Sequence, residues 1–211
     1  MLNLVSTWTV YTIWRLKNNL LFPGAGIAVL FSTGILILSC AGTPAALRDS
    51  PVYVTDTKPV FLLPAEAIGH SIAIHQSIEG YYSSQTYFLE AIVEAGGKGI
   101  FITGLSSFGT QVYSLAFHDS VIEFSSAAAG GIKPEYMLAD FELCYFPSEQ
   151  VASMLRNAGF GFEEIMQEKG FTRRILNGDK VIIEILRDGN VMQYRNLLRG
   201  YGYSIQEEPL K

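Results

Sequence analysis

The residue with the most legible chemistry in this 211-residue chain is Cys40, which closes the run Ile37-Leu38-Ser39-Cys40. An uncharged apolar stretch from Leu20 to Leu38 leads up to it, and the basic residues Arg15 and Lys17 precede that stretch. Basic segment, apolar core and small residue at the cleavage point follow one another in the order of a secretory signal. A cysteine directly after that point supplies the thiol that takes up diacylglycerol in a bacterial lipoprotein. Cleavage there also frees an amino terminus for a further acyl chain. Such a protein hangs from the membrane by lipid, with no spanning helix. The alternative is an uncleaved anchor, because the stretch from Leu20 to Leu38 is long enough to span a bilayer. Pro23, Gly24, Gly26 and Gly34 weaken a helix there. Residues 1–39 are therefore expected to be a lipoprotein signal peptide, with Cys40 the lipidated residue. Ala41 stands where an Asp would favour inner-membrane retention, so a periplasm-facing protein of the outer membrane is expected.

The other reactive residue types do not assemble into a catalytic pattern. His70 and His75 lie five positions apart on one strand-like run, so a period of two sends them to opposite faces and away from a shared metal. No Cys-x-x-Cys, no His-x-x-x-His and no carboxylate–histidine set accompanies them or His118, and no metal site is expected. Ser106-Ser107 lacks the Gly-x-Ser-x-Gly elbow of a hydrolase. Gly130-Gly131-Ile132-Lys133 lacks the spacing of a phosphate-binding loop. Tyr81-Tyr82, Tyr201 and Tyr203 read as strand packing or rim aromatics ahead of a carbohydrate platform. The expectation is a protein without catalytic activity and without a cofactor.

The charge balance narrows the partners. The chain carries 20 acidic against 15 basic residues, a formal net charge of −5, and every acidic residue follows Cys40. A nucleic-acid binder would carry a basic footprint instead. Acidic residues dominate from Ala65 to Glu168 and basic ones from Lys169 to Arg199. The basic group reads first as the solvent faces of strands and second as a patch for anionic headgroups or an acidic partner. Cys144 is the only other cysteine, so acylation of Cys40 leaves no internal disulfide and the fold must hold by its core.

Four prolines between Ala41 and Pro64 (Pro44, Pro51, Pro59 and Pro64) suggest an extended lipidated tether over residues 40–64, with the folded domain spanning residues 65–211. Alternating apolar residues predict strands over His70–Glu79, Gln85–Glu94, Gly99–Leu105, Thr110–Phe117 and Val121–Phe124. In the second of these Tyr87, Leu89, Ala91 and Val93 share one face. Helical spacing follows over Pro134–Tyr145, then over Ser148–Ala158 with Ser148 as N-cap and Gly159 as the stop. Strands return over Phe171–Leu176, Val181–Leu186, Val191–Leu198 and Tyr201–Gln206, with Asn177-Gly178 and Asp188-Gly189 as hairpin turns. The fold class is mainly β with a helical insertion (α+β). Antiparallel strands in this number stack as a sandwich or curl into a barrel, and helices inserted between two blocks belong over the mouth of a curved sheet.

The run Leu138-Ala139-Asp140-Phe141-Glu142-Leu143-Cys144-Tyr145-Phe146-Pro147, with Gly104 to Gln111 before it and Arg173-Arg174-Ile175 and Gly200 to Ile205 after it, resembles an uncharacterised family of bacterial lipoproteins. That family is similar to the LolA/LolB class of lipoprotein carriers and receptors, and the match spans most of residues 60–206. Phe146 stands where the family usually has Trp, a neutral change between two residues that fill an apolar pocket. The resemblance implies a curved antiparallel sheet, or half-open β-barrel, under an α-helical lid. It also implies an apolar cavity for an acyl chain or lipoprotein ligand, and a protruding loop, here Leu105 to Gly109 with Phe108 at the tip, that meets the membrane. The simpler reading of Phe108 is a core residue.

Candidates to line the cavity are Leu89, Ile102, Tyr113, Leu115, Met137, Phe141 and Leu155. The expected function is binding of an acyl chain or other apolar ligand for lipid or lipoprotein transfer to the outer membrane, by a monomer held to the membrane through its N-terminal lipid. The rival is a structural or assembly lipoprotein that binds another envelope protein through a sheet edge or its acidic face.

Overall fold

Strand periodicity builds most of the molecule. The computed structural model describes residues 47–48, 51–127 and 133–210, all within the unit that runs from Cys40 to Lys211. The signal-peptide reading of residues 1–39 and the lipidation of Cys40 lie outside the described residues. In chain order the elements are β1 (Leu47–Arg48), β2 (Val52–Tyr53), β3 (Pro59–Val60), a 3-10 turn (Ala65–Ile68), β4 (Ile72–Tyr82), β5 (Gln85–Gly96), β6 (Gly99–Leu105), β7 (Gln111–His118) and β8 (Val121–Ser126). Then come α1 (Pro134–Tyr145), α2 (Ser148–Asn157), β9 (Gly161–Gln167), β10 (Gly170–Asn177), β11 (Lys180–Asp188), β12 (Val191–Asn196) and β13 (Tyr201–Pro209).

Ten long strands and the short β1 form one antiparallel sheet in the order β1-β8-β7-β6-β5-β4-β13-β12-β11-β10-β9. The expected sequence of strands, helices and strands holds: among the described residues the fold is mostly antiparallel β with two helices. The sheet is not closed into a barrel, since β1 and β9 end it. Two meanders, β4 to β8 and β9 to β13, are joined where β13 lies against β4, from Tyr201 opposite Tyr82 to Pro209 opposite Ile74.

One face of this sheet is inner and carries the core. Along β5 the inner residues Ala91, Val93 and Ala95 are buried, whereas Phe88 and Ile92 face outward. Alternation continues across the sheet through Ile100 and Ile102, Tyr113, Leu115 and Phe117, and Met192 and Tyr194. Their burial supplies the main stabilisation, about 1.5–3 kcal/mol for each large apolar side chain removed from water.

Both helices pack on the inner face. Pro134 opens α1, where its missing N–H costs nothing. The helix ends at Phe146, which sits in extended geometry because Pro147 follows it. Ser148 is the first residue of α2 and makes no capping hydrogen bond, which corrects its reading as the N-cap. Gly159 takes φ +76° just beyond the helix, as a stop residue should.

Two segments differ from expectation. Residues 51–64 are not a free tether: Val52, Val54 and Val60 are buried in the core, and β2 and β3 pack on α1 and α2 respectively. Prolines disfavour a helix there, but extended chain still buries Val52, Val54 and Val60 while Tyr53 and Phe61 face outward. Lys58 fastens this strap. Its Nζ donates to the carbonyl of Gly159 at 3.0 Å and to Asn177 Oδ1 at 2.8 Å, and lies 5.1 Å from the centre of the Phe160 ring. The second is β9, an edge strand that periodicity does not reveal, because its inner position Glu164 is a carboxylate paired with Arg173.

Candidate functional site

Helix α1 lies over the inner face and meets its two sides by different means. Toward β10–β13 the contact is polar. Tyr194 and Tyr203 stand opposite one another on β12 and β13, and Tyr201 shares their face two residues earlier. Their rings stack, with centroids 4.9 Å apart for Tyr194 and Tyr203 and 5.9 Å for Tyr194 and Tyr201. All three hydroxyls donate to the carboxylate of Asp140 on α1, that of Tyr201 at 3.0 Å to Oδ2. Burial pushes the Asp140 carboxyl up to about 6, and the three hydroxyl donors hold the rise in check. Asp140 is half-buried and also borders a cavity.

A second link joins Tyr145 to the sheet. Gln76 Nε2 donates to its hydroxyl at 2.6 Å, the hydroxyl donates to Glu207, and Arg187 donates to Glu207 at 2.5 Å. The third is Arg173, almost wholly buried, whose Nε donates to Glu164 at 2.5 Å and whose Nη1 donates to the carbonyl of Leu143 at 2.7 Å. On the far side of the helix, buried Glu142 accepts the N–H of Leu63 through both oxygens at 3.1 Å. Burial holds that carboxyl well above the usual range, with the hydrogen bond from Leu63 opposing the rise.

Toward β4–β7 the helix faces a cavity of about 520 Å³, a size typical of small-molecule sites. Ile78, Leu89, Ile102 and Ile205 supply apolar wall from the sheet, and Met137, Phe141 and Cys144 from the helix. Phe141 stacks on Tyr145 at 4.6 Å. Two tyrosines complete the wall because glycines make room for their rings. A Cβ on Gly80 would stand 2.1 Å from the Tyr87 ring, and one on Gly104 would stand 2.1 Å from the Tyr113 ring. In each case the glycine is the residue's direct cross-strand partner. Burial raises both phenols, Tyr113 to about 12, so both hydroxyls stay protonated donors.

Of the seven residues expected to line a cavity, Leu89, Ile102, Tyr113, Met137 and Phe141 meet in its wall. Leu115 does not; it is buried two residues further along β7, where the core closes over the inner face. Leu155 sits on α2 beneath the strap and borders a separate void of about 20 Å³ with Val52 and Val60. The Asp140 cluster is absent from the sequence-based expectation. Its signal was the pair Tyr201 and Tyr203 on one face of a strand, together with an aspartate inside an apolar helix.

Phe108 is not a core residue. It is 94% exposed at the tip of the β6–β7 turn. The turn is built rather than loose: Ser106 Oγ accepts the N–H groups of Phe108 and Thr110, Ser106 N donates to the Thr110 carbonyl at 2.8 Å, and Gly109 takes φ +74°. Leu105, at the base, is half-buried opposite Glu90. Strand pairing brings the ends of β4, β6 and β12 to the same end of the sheet. Tyr82, Leu197 and Leu198 are exposed there too, with Phe88 a little further down β5.

The basic residues of the C-terminal half do not gather into one patch. Arg173 and Arg187 turn inward to Glu164 and Glu207, whereas Arg174 and Arg195 both bridge to Glu184 on the outer face.

A family profile described as "Protein of unknown function (DUF3261)" matches residues 73–209, from β4 to the end of β13. A comparison with curated proteins finds no match. The profile covers more than half of the chain, which belongs to this family.

Proposed function

We propose that this member of the DUF3261 family is a membrane-anchored, periplasm-facing lipoprotein that shelters an acyl chain or another apolar ligand during transfer of lipid or lipoprotein to the outer membrane. The observation that carries this reading is the cavity of about 520 Å³ between α1 and the inner face of the sheet. Its aliphatic and aromatic wall suits a chain whose methylenes gain about 0.8 kcal/mol each on leaving water. An antiparallel sheet with helices over an apolar cavity is also what the resemblance to the LolA/LolB class implies, the sheet acting as a half-open barrel and α1 as its lid. Lipidated Cys40 would hold the protein at the membrane. Exposed Phe108, on a rigid turn at the end of the sheet that also carries Tyr82, Leu197 and Leu198, would enter the lipid interface, where aromatic residues are favoured.

The test is native mass spectrometry with lipid extraction on the full chain purified from its own membranes, beside the variant Phe141→Asp. An acyl-chain species that co-purifies with the wild type and is missing from the variant supports the reading. An empty wild-type protein, or equal lipid in both, refutes it and turns attention to binding of another envelope protein.

A further inference from the structure

We infer that the cavity takes an acyl chain whose polar end is neutral, an ester or an amide, with the hydroxyls of Tyr87 and Tyr113 donating to its carbonyl, and that it rejects the same chain as a free carboxylate. This specificity rests on the acyl-chain reading above and names its ligand class.

Three observations carry it. First, no Lys, Arg or His lines the cavity among the described residues. Arg187 and Arg173 are committed to Glu207 and Glu164, each at 2.5 Å, and Arg199 lies over the Tyr136 ring at 5.6 Å, outside the cavity wall. Second, among the described residues the one ionisable carboxyl in the wall is Asp140, and Glu207 accepts from the Tyr145 hydroxyl. An incoming carboxylate would therefore lose its water, find no counter-ion and approach a group of its own charge, a combination that costs several kcal/mol.

Third, the polar atoms left for a ligand are neutral. The hydroxyls of Tyr194, Tyr201 and Tyr203 are spent on Asp140, and that of Tyr145 on Glu207. Those of Tyr87 and Tyr113 have no hydrogen-bond partner among the described residues, although both rings line the cavity. Tyr113 is buried in the wall and Tyr87 is 43% exposed nearer the mouth. Gly80 and Gly104 exist at the positions that let these rings lie across the strands. A phenol O–H donates well to an ester or amide carbonyl, which brings no charge into the site.

The experiment uses the full chain held in amphipol, loaded with a neutral naphthylamine dye whose fluorescence rises in apolar sites. Dye is displaced at about pH 8, where a fatty acid is ionised, by a monoacylglycerol or by the free acid of the same chain length. The ester should displace dye at an at least about tenfold lower concentration, corresponding to about 1.4 kcal/mol. In the double variant Tyr87→Phe, Tyr113→Phe, which keeps both rings, that advantage should fall below about threefold. Equal or better displacement by the acid overturns the inference while leaving the acyl-chain reading intact. An ester advantage unchanged in the double variant removes the two tyrosines from the site. Failure of the dye and of both lipids to bind the wild type overturns the acyl-chain reading and this inference with it. The ester-to-acid comparison on the wild type decides the matter even if the double variant does not fold.

Discussion

Helix α1 is held to β10–β13 by hydrogen bonds through Asp140, Leu143 and Tyr145, and it faces β4–β7 across an apolar cavity. The same helix thus carries an attachment and one wall of a cavity, on neighbouring flanks. Polar bonds have fixed lengths and directions and so set where the helix sits. Apolar contacts are non-directional, and the opposite flank borders the cavity instead. The flank that borders the cavity thus takes its position from the hydrogen-bonded one.

The sharpest way to break this contrast is Arg173→Met. It removes a buried cation from Glu164 and from the Leu143 carbonyl, and should lower stability in urea by about 3–5 kcal/mol. A loss under about 1 kcal/mol would mean the attached flank is no firmer than the other. Next in size is the pH response of Asp140. Its carboxyl is raised to about 6 in the fold from an ordinary 3.8, so the folded protein holds this proton more tightly than the unfolded chain. Its contribution therefore favours the fold below about pH 4, weakens as pH rises to about 6 and is level above that. The span is at most about 3 kcal/mol. Asp140→Asn should flatten that part of a stability–pH profile measured by chemical denaturation, and an unaltered slope would place the titration elsewhere.

Truncations then compare the two flanks directly. Met192→Ala, at a fully buried position under the attached flank, should cost about 2–5 kcal/mol in equilibrium unfolding. Leu89→Ala, whose side chain already borders open space, should cost about 1 kcal/mol or less, because little packing is lost. Equal costs would show that the cavity wall is as tightly packed as the core. Smallest in stability is Phe108→Ser, expected within about 0.5 kcal/mol of the wild type. Flotation of the protein with vesicles should nevertheless fall, and unchanged flotation would leave the exposed tip without a membrane role.

Much of the attached flank was invisible in the sequence and much of the cavity was legible, for a physical reason. Apolar alternation announces itself: Tyr87, Leu89, Ala91 and Val93 fall on one face by period two, and the structure keeps them there. Asn177-Gly178 and Asp188-Gly189 announce their turns in the same local way. Arg173 reads with the other basic residues as a solvent face, Asp140, Glu142 and Glu207 carry no local signal of burial, and only the meeting of distant elements shows that each has a buried partner. β9 was lost with them, since Glu164 occupies its inner row. Val52, Val54 and Val60 were misread for the converse reason: the prolines around them excluded regular structure but not burial.

The joint between the two meanders has a consequence for how the chain reaches this state. Each meander is sewn from neighbouring hairpins, which close quickly because their partners are near in sequence. The pairing of β13 with β4 is different: it closes a loop of more than a hundred residues, and it lies in the middle of the sheet. Loop closure on that scale is paid in entropy before any contact rewards it. Contact order therefore favours formation of each meander ahead of the joint between them. A chain that lacks β13 leaves β4 and β12 as two unpaired edges in what is otherwise the middle of the sheet, each a ladder of free N–H and C=O groups open to another strand.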